Sequence, residues 1–458
     1  MPGVALLHRV RHFAGVDRAV FYSVVTRAIS TVGNLVTIPL ILTRLTPVEQ
    51  GFYYTFGSVI ALQVFLEMGF GAVAIQMVAH EAAHLKIDLK SGITGPTAHL
   101  ARFSATIRFI RKWFLLLSLL AGMLLFPTGY WFFASTPAAP AASWFGPWSI
   151  MVLGAAGMMF TNSLYSTIEG MGFVAESIRV RLWGNAAQLL FTIAGLLIGL
   201  RLYSAPTGVL LGLVVNAGFI WRVMHNVIRE TAGVGTEIRI DWFKEVFPFQ
   251  WRIALSWISG WFIFSAMLPV VFREFGPAEA GRFGMAMSLS TFISGLAASW
   301  SYTKSAIWGQ MVSRREWQSM DSLFWKVMPQ SVGIAFFGSA LVLLVLPHLA
   351  EWVPRFSGRV PDWRMLLFLC SVAVMNQAVF AEAFYLRAHK REPFLASSVL
   401  GGTAMAIGLF GVSHGSALSI CAMYAGLTFL GGLVWGSLVF ARCRSRWHQR
   451  EAQTSSNT

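Results

Sequence analysis

The chain has 458 residues, of which 12% are charged, 56% hydrophobic and 14% aromatic, with a mean hydropathy of +0.62 and a formal charge of +15. A soluble domain carries about 25% charged residues. This composition therefore excludes a soluble globular enzyme, a disordered chain and a disulfide-built secreted scaffold, and describes a polytopic integral membrane protein.

The first apolar run follows Arg9, Arg11 and Arg18; it is too long for a signal peptide and no A-x-A site closes it. At about 20 residues per crossing, the pattern predicts twelve spans, at 19–43, 51–78, 109–133, 145–168, 180–200, 204–226, 247–272, 282–307, 327–348, 364–386, 394–412 and 416–440. Residues 113–168 hold no Asp, Glu, Lys or Arg, enough for two spans with a turn expected between Pro127 and Pro147. Residues 393–441 are equally free of charge and hold two more, joined near 413–416. The longest loop, 79–108, carries His80, Glu81, His84 and His99 at irregular spacing and is expected to be solvated rather than to hold a metal. Cys370, Cys421 and Cys443 form no CxxC pair, and neither a disulfide nor a cofactor is expected.

Lys and Arg collect in cytoplasmic loops. With the N-terminus inside, 26 of the 35 basic residues fall on the cytoplasmic side, 7 on the other, and Arg27 and Arg252 lie within spans. Both termini are therefore expected in the cytoplasm. The excess charge is mainly topology, with attraction to anionic membrane lipid as a smaller term; nucleic acid is not an expected partner.

Residues 44–53, RLTPVEQGFY, and 274–283, EFGPAEAGRF, match at Pro47, Glu49 and Gly51 against Pro277, Glu279 and Gly281, each in the outer loop after the first span of a six-span half. Proline ends the preceding helix, and glutamate suits the first turn of the next one. A capped turn that sets hairpin geometry is the favoured reading, and the glycines permit close approach of helix ends. The expected architecture is all-α, with about 12 transmembrane helices in two six-helix pseudo-repeats, 1–235 and 236–445, and a polar tail at 446–458.

The stretch IPLILTRLTPVEQGFYYTFGSVIALQVFLEMGFGAVAIQMVAH, residues 38–80, resembles the O-antigen and exopolysaccharide flippases of the multidrug/oligosaccharidyl-lipid/polysaccharide exporter superfamily. The matching elements are the turn Arg44–Gly51, the segment Glu67-Met68-Gly69-Phe70-Gly71, the second turn ending Gly281-Arg282-Phe283-Gly284, and Tyr385-Leu386-Arg387-Ala388 at the end of the tenth span. Glu67 in place of the usual Asp and Gln50 before the glycine depart from the family pattern. The resemblance implies two six-helix bundles forming a V around a central cavity. It also implies a transporter that moves undecaprenyl-diphosphate-linked sugars to the outer leaflet of the bacterial inner membrane, alongside polysaccharide assembly proteins.

A lipid diphosphate calls for cations in a cavity, preferably the planar fork of arginine. The first span places Ser23, Arg27, Ser30, Thr31, Asn34 and Thr37 on one face, and such a polar stripe should face protein or water. The seventh repeats the idea with Arg252, Ser256 and Ser259, and Lys304 ends the eighth. Arg27, Arg252 and Lys304 are the candidate diphosphate ligands, with snorkelling to the interface as the alternative. Asn162 and Asn376 are candidate sugar-bonding groups or interhelical glue. Glu67 and Glu382, the deepest carboxylates, are candidates for ion coupling, and a salt bridge from Glu67 to Arg27 is an equal reading.

A cation-coupled multidrug exporter on the same fold is the main alternative, although that branch typically carries an acid in its first span and residues 19–43 contain none. A glycosyltransferase or polymerase is disfavoured by the lack of a D-x-D motif, an ATP-driven pump by the lack of a P-loop, and no catalytic constellation stands out. If Arg27 and Arg252 clamp a diphosphate, Arg→Ala at either abolishes complementation of a flippase-deficient strain while the protein still inserts; normal surface polysaccharide in both variants would remove the clamp.

Overall fold

The computed structural model describes residues 18–456, apart from 90–91, 138–141, 235–237, 239, 390–392 and 413–414. Among the described residues it is all-α except for one antiparallel hairpin, β1 (Lys86–Asp88) paired with β2 (Gly92–Thr94). The helices are α1 (Arg18–Arg44), α2 (Pro47–Ile60), α3 (Val64–Glu67), α4 (Phe70–Ala82), α5 (Thr97–Ala134), α6 (Phe145–Gly170), α7 (Val174–Leu197), α8 (Ser204–Gly233) and α9 (Phe247–Phe264). There follow α10 (Met267–Phe275), α11 (Pro277–Tyr302), α12 (Ser305–Arg314), α13 (Trp317–Trp352), α14 (Trp363–Arg387), α15 (Leu395–Val412), α16 (Ala417–Leu427) and α17 (Trp435–Ser456), with a π-helical segment, Thr428–Val434, between the last two.

Among the described residues, nine helices are long and apolar enough to cross a membrane, and a tenth results if Pro47–Glu67 and Phe70–Ala82, bent by 46°, count as one span. The other two expected crossings are α6 and α11, each of 26 residues. Their sequences are rich in Ser, Thr and Gly, which keeps their hydropathy low. Pro127 lies inside α5 rather than in a turn, and the chain turns after Ala134. The predicted solvated loop at 79–108 is largely ordered: α4 extends to Ala82, the hairpin follows, and α5 begins at Thr97.

The chain forms two compact units. The first comprises Met1–Leu40, Leu62–Ala139 and Ser143–Trp257; the second comprises Ile41–Ala61, Pro140–Ala142 and Ile258–Thr458. In the first unit α7 and α8 pack through small residues: Gly184 abuts Asn216, while Gly208 and Gly212 abut Thr192 and Gln188. With little gain from hiding apolar side chains that lipid already solvates, such close backbone approach supplies the packing energy. On α5, Gly129 makes room for the indole of the fully buried Trp148 of α6.

In the second unit α2 crosses α11 at the repeated motif. A Cβ on Gly51 would collide with the Pro277 carbonyl, and one on Gly281 would meet the Gly51 nitrogen at 3.1 Å. The buried Gln50 amide donates to the Gly281 carbonyl at 3.0 Å. Thr46 and Glu49 form a capping box, the Thr46 N–H donating to Glu49 Oε2 at 2.8 Å and the Glu49 N–H to Thr46 Oγ1 at 3.2 Å. The turn is capped by side chains in the first copy only, Gly276 standing at the cap of the second without one, and the glycines Gly51 and Gly281 mark where the two copies touch. Arg359, in the loop before α14, donates to the Ile41 (3.4 Å) and Leu45 carbonyls, where a cation complements the end of α1. Partial burial holds its guanidinium below the usual arginine value, against the opposing pull of Glu49.

Two glycines of α2 separate the crossing from mere helix propensity. Gly51→Ala is expected to destabilise the detergent-solubilised protein by about 1–3 kcal/mol, the range for overpacking. Gly57→Ala, where nothing lies within 4 Å, should gain about 0.5–1 kcal/mol. Thermal unfolding of the pair measures both, and equal melting of the two variants would contradict the crossing.

Candidate functional site

The second span is discontinuous. After α2 come one 3-10 turn, Ala61–Gln63, and the short α3; then Met68 (φ 46°) and Gly69 (φ 69°) both take the left-handed conformation before α4 begins. A non-glycine residue there costs roughly 1–2 kcal/mol, and such strain persists where its surroundings fix it. Gly69 is doubly required, because a Cβ at this position would strike Ile253 of α9 and approach Trp257 to 3.1 Å. The amide of Gln250, 3% exposed, donates to the Glu67 carbonyl at 3.4 Å and so takes up a backbone group at the break.

The Glu67 side chain occupies the break. It accepts hydrogen bonds from the Gly71 N–H, at the start of α4, and from Asn162 of α6, and feels the charge of Arg181 of α7. Gly71 leaves space for it: a Cβ there would lie 3.2 Å from Glu67 Oε1 and 3.5 Å from Ser166 Oγ. Arg181 donates to Glu169 Oε1 at 3.1 Å, with its guanidinium carbon 3.9 Å above the centre of the Tyr165 ring. Ser177 also donates to Glu169, at 2.6 Å, and the Tyr165 hydroxyl donates to Asn216 at 2.7 Å. One guanidinium thus pairs directly with Glu169 and acts on Glu67 through its charge, all three groups lying in one unit.

The second unit holds a different acid. Glu382 of α14 is 3% exposed. Its Oε1 accepts from Ser437 Oγ at 2.7 Å, and its Oε2 has no hydrogen-bond partner among the described residues. It packs beside Gly436, two residues past the π-helical segment. π-Helical insertions inside α-helices frequently accompany functional sites.

The candidates from the sequence separate. Glu67 and Asn162 meet, whereas Glu67 has Arg181 rather than Arg27 as its described cationic influence. Arg27 is half-buried on α1; Ser30 and Asn34 are exposed, and the Ser30 hydroxyl is turned back to the Thr26 carbonyl at 3.0 Å. The side chains of Ser23, Thr31 and Arg252 lie outside the described set, so the diphosphate clamp has only its Arg27 arm described. Ser256 is half-buried, and Ser259 is buried where Gly402 closes on it. Lys304 stands at the junction of α11 and α12. Asn376 hydrogen-bonds the Tyr424 hydroxyl, and its neighbour Gln377 ties α14 to the Ser294 carbonyl (3.1 Å) and Ser331 (3.2 Å) as interhelical glue. Among the described residues no three His, Cys, Asp or Glu side chains converge on a metal; His84 and His99 simply stack at 4.4 Å.

Arg181 and Tyr165 escaped the sequence reading. Arg181 falls among the basic residues on the cytoplasmic side, yet it stands one turn before Asn185, Gln188 and Thr192, which follow at helical spacing. That continuity was the available signal.

The fold matches solved structures along nearly its whole length. One, described as the inward-facing conformation of a multidrug resistance MATE family transporter of the MOP superfamily, superposes with a TM-score of 0.57 at 14% identity, covering 91% of this chain and 99% of that one. The outward-facing conformation of such a transporter gives 0.55 at 12% identity over 93% and 96%, and MATE in the bent conformation gives 0.53 at 14% over 95% and 98%. No protein-family model matches the sequence, and no curated protein matches it. The chain is therefore a polytopic α-helical membrane protein of two repeated halves. More narrowly, its fold is that of the MATE transporters of the MOP superfamily.

A double-mutant cycle tests the charge cluster. Glu67→Gln and Arg181→Met together should cost less than the sum of the two single changes, with a coupling of about 0.5–3 kcal/mol in thermal unfolding. Strict additivity would show that the two groups do not interact.

Proposed function

We propose that the protein is a cation-coupled exporter that works by alternating access, with the Glu67–Arg181–Glu169 cluster as its coupling site and Glu382 as a second exchangeable acid. The observation that carries the proposal is the grouping at a broken span of two carboxylates about one guanidinium, Glu169 hydrogen-bonded to Arg181 and Glu67 under the influence of its charge. Discontinuous membrane helices are where transporters commonly place ion and substrate groups. The MATE-like fold supports transport by analogy, the 26-to-7 split of basic residues supports an orientation with both termini cytoplasmic, and the resemblance of residues 38–80 supports a bacterial inner-membrane location.

A second reading is retained, in which the cargo is an undecaprenyl-diphosphate-linked oligosaccharide. It is favoured by Arg27 on a first span that lacks any acid and by the motif at 44–51. Membrane lipids and polysaccharide assembly proteins would then be its partners.

In proteoliposomes loaded with an amphipathic cationic dye, an imposed proton or sodium gradient is expected to drive dye movement, and Glu67→Gln to abolish it with insertion intact. Dye movement indifferent to both gradients and to the substitution would overturn the exporter reading. Restored surface polysaccharide in a flippase-deficient strain, with no dye transport, would establish the second.

A further inference from the structure

One face of α8 is exposed along most of its length and changes character in order. Gly208, Gly212, Asn216, Ile220, Met224 and Val227 are buried against the first unit. On the opposite side Leu211 (41% exposed), Val214 (61%) and Trp221 (63%) follow one another at helical spacing, and Arg222, His225 and Arg229 continue the same stripe, all exposed. At 1.5 Å per residue, the two arginines lie roughly 2 Å and 12 Å beyond Trp221 along the axis. Aliphatic, then tryptophan, then basic is the order in which a bilayer presents hydrocarbon, interface and headgroups.

The arrangement of charge around the stripe is specific. Glu230, beside Arg229 in sequence, is held away from it: its carboxylate accepts the Ile93 N–H of β2 at 2.7 Å and occupies the space left by Gly92. Asn226 likewise donates to the Leu89 carbonyl of the hairpin, at 3.4 Å. The hairpin engages the acid and the amide of this segment, leaving a face that carries only positive or titratable groups. The aromatic rings brace those groups, with Trp221 and His225 centred 6.3 Å apart and the Arg222 guanidinium 6.0 Å from the Phe219 ring.

We propose that the Trp221–Arg222–His225–Arg229 face binds the headgroups of anionic phospholipids in the leaflet on the side to which the basic-residue count assigns the cytoplasm. The occupant is a lipid rather than a free anion, because the basic groups extend an exposed apolar stripe on a helix long and apolar enough to cross a membrane. The arginines are suited to the phosphodiester by their planar donor fork.

The test is native mass spectrometry of the full-length protein released from bilayers of equal phosphatidylglycerol and phosphatidylcholine. The wild type is expected to retain phosphatidylglycerol preferentially. Arg222→Ala with Arg229→Ala should lower the enrichment by about fivefold per arginine, and the double Lys variant should recover most of it. The enrichment in the wild type should also fall at high salt, which needs no variant to fold. Retention of the two lipids in bilayer proportion by the wild type would overturn the proposal, as would undiminished phosphatidylglycerol on a monodisperse double-Ala variant. So would displacement by inorganic phosphate alone, which would mark a free-anion site.

Discussion

Inside a bilayer no water is at hand to complete a backbone hydrogen bond, so every departure from regular helix must be repaired by the protein itself. That constraint organises this chain. Where the second span breaks at Met68 and Gly69, the Gln250 amide takes the Glu67 carbonyl and the Glu67 carboxylate takes the Gly71 N–H. Where α1 ends, Arg359 collects the Ile41 and Leu45 carbonyls. Each repair places a polar side chain at membrane depth or at its margin, and those side chains are the material from which a transport site can be made.

The Glu67 cluster shows how the repair becomes chemistry. A carboxylate that only capped α4 would need no arginine. Here the guanidinium whose charge reaches Glu67 is itself hydrogen-bonded to a second acid, Glu169, and lies over the Tyr165 ring. Glu382 represents the contrasting case, an acid with a single hydroxyl donor, set where the last crossing loosens into a π-helical stretch.

Hydropathy and charge bias revealed the number of helices, their approximate limits and the doubling of the Pro-x-Glu-x-Gly turn. They also placed α6 and α11, expected at 145–168 and 282–307 and found at Phe145–Gly170 and Pro277–Tyr302, although the Ser, Thr and Gly of these helices keep their hydropathy low. The break at Met68 was hidden: nothing in a methionine announces a positive φ, and only Gly69 and Gly71 beside it hinted at one. Arg181 was misjudged because a count of basic residues treats every arginine as a topological mark, while its partners Glu169 and Tyr165 come from a different helix. The reach of Gln50 to the Gly281 carbonyl likewise depends on long-range geometry that local spacing does not encode.

The assignment of Ile41–Ala61 to the second unit has a consequence for biogenesis. Gln50 and the carbonyl it binds are 231 residues apart in sequence. At 5–20 residues per second, roughly 10–50 s of synthesis separate them. Throughout that interval α2 is made and its partner α11 is not, so Gly51 and its flanking polar groups await a surface that does not yet exist. The first unit has most of its chain in place well before the second can close. An insertase or lipid that shelters α2 during the wait would affect yield without touching the finished protein, and the N-terminal crossing would be among the last contacts to form even though it is among the first to be translated.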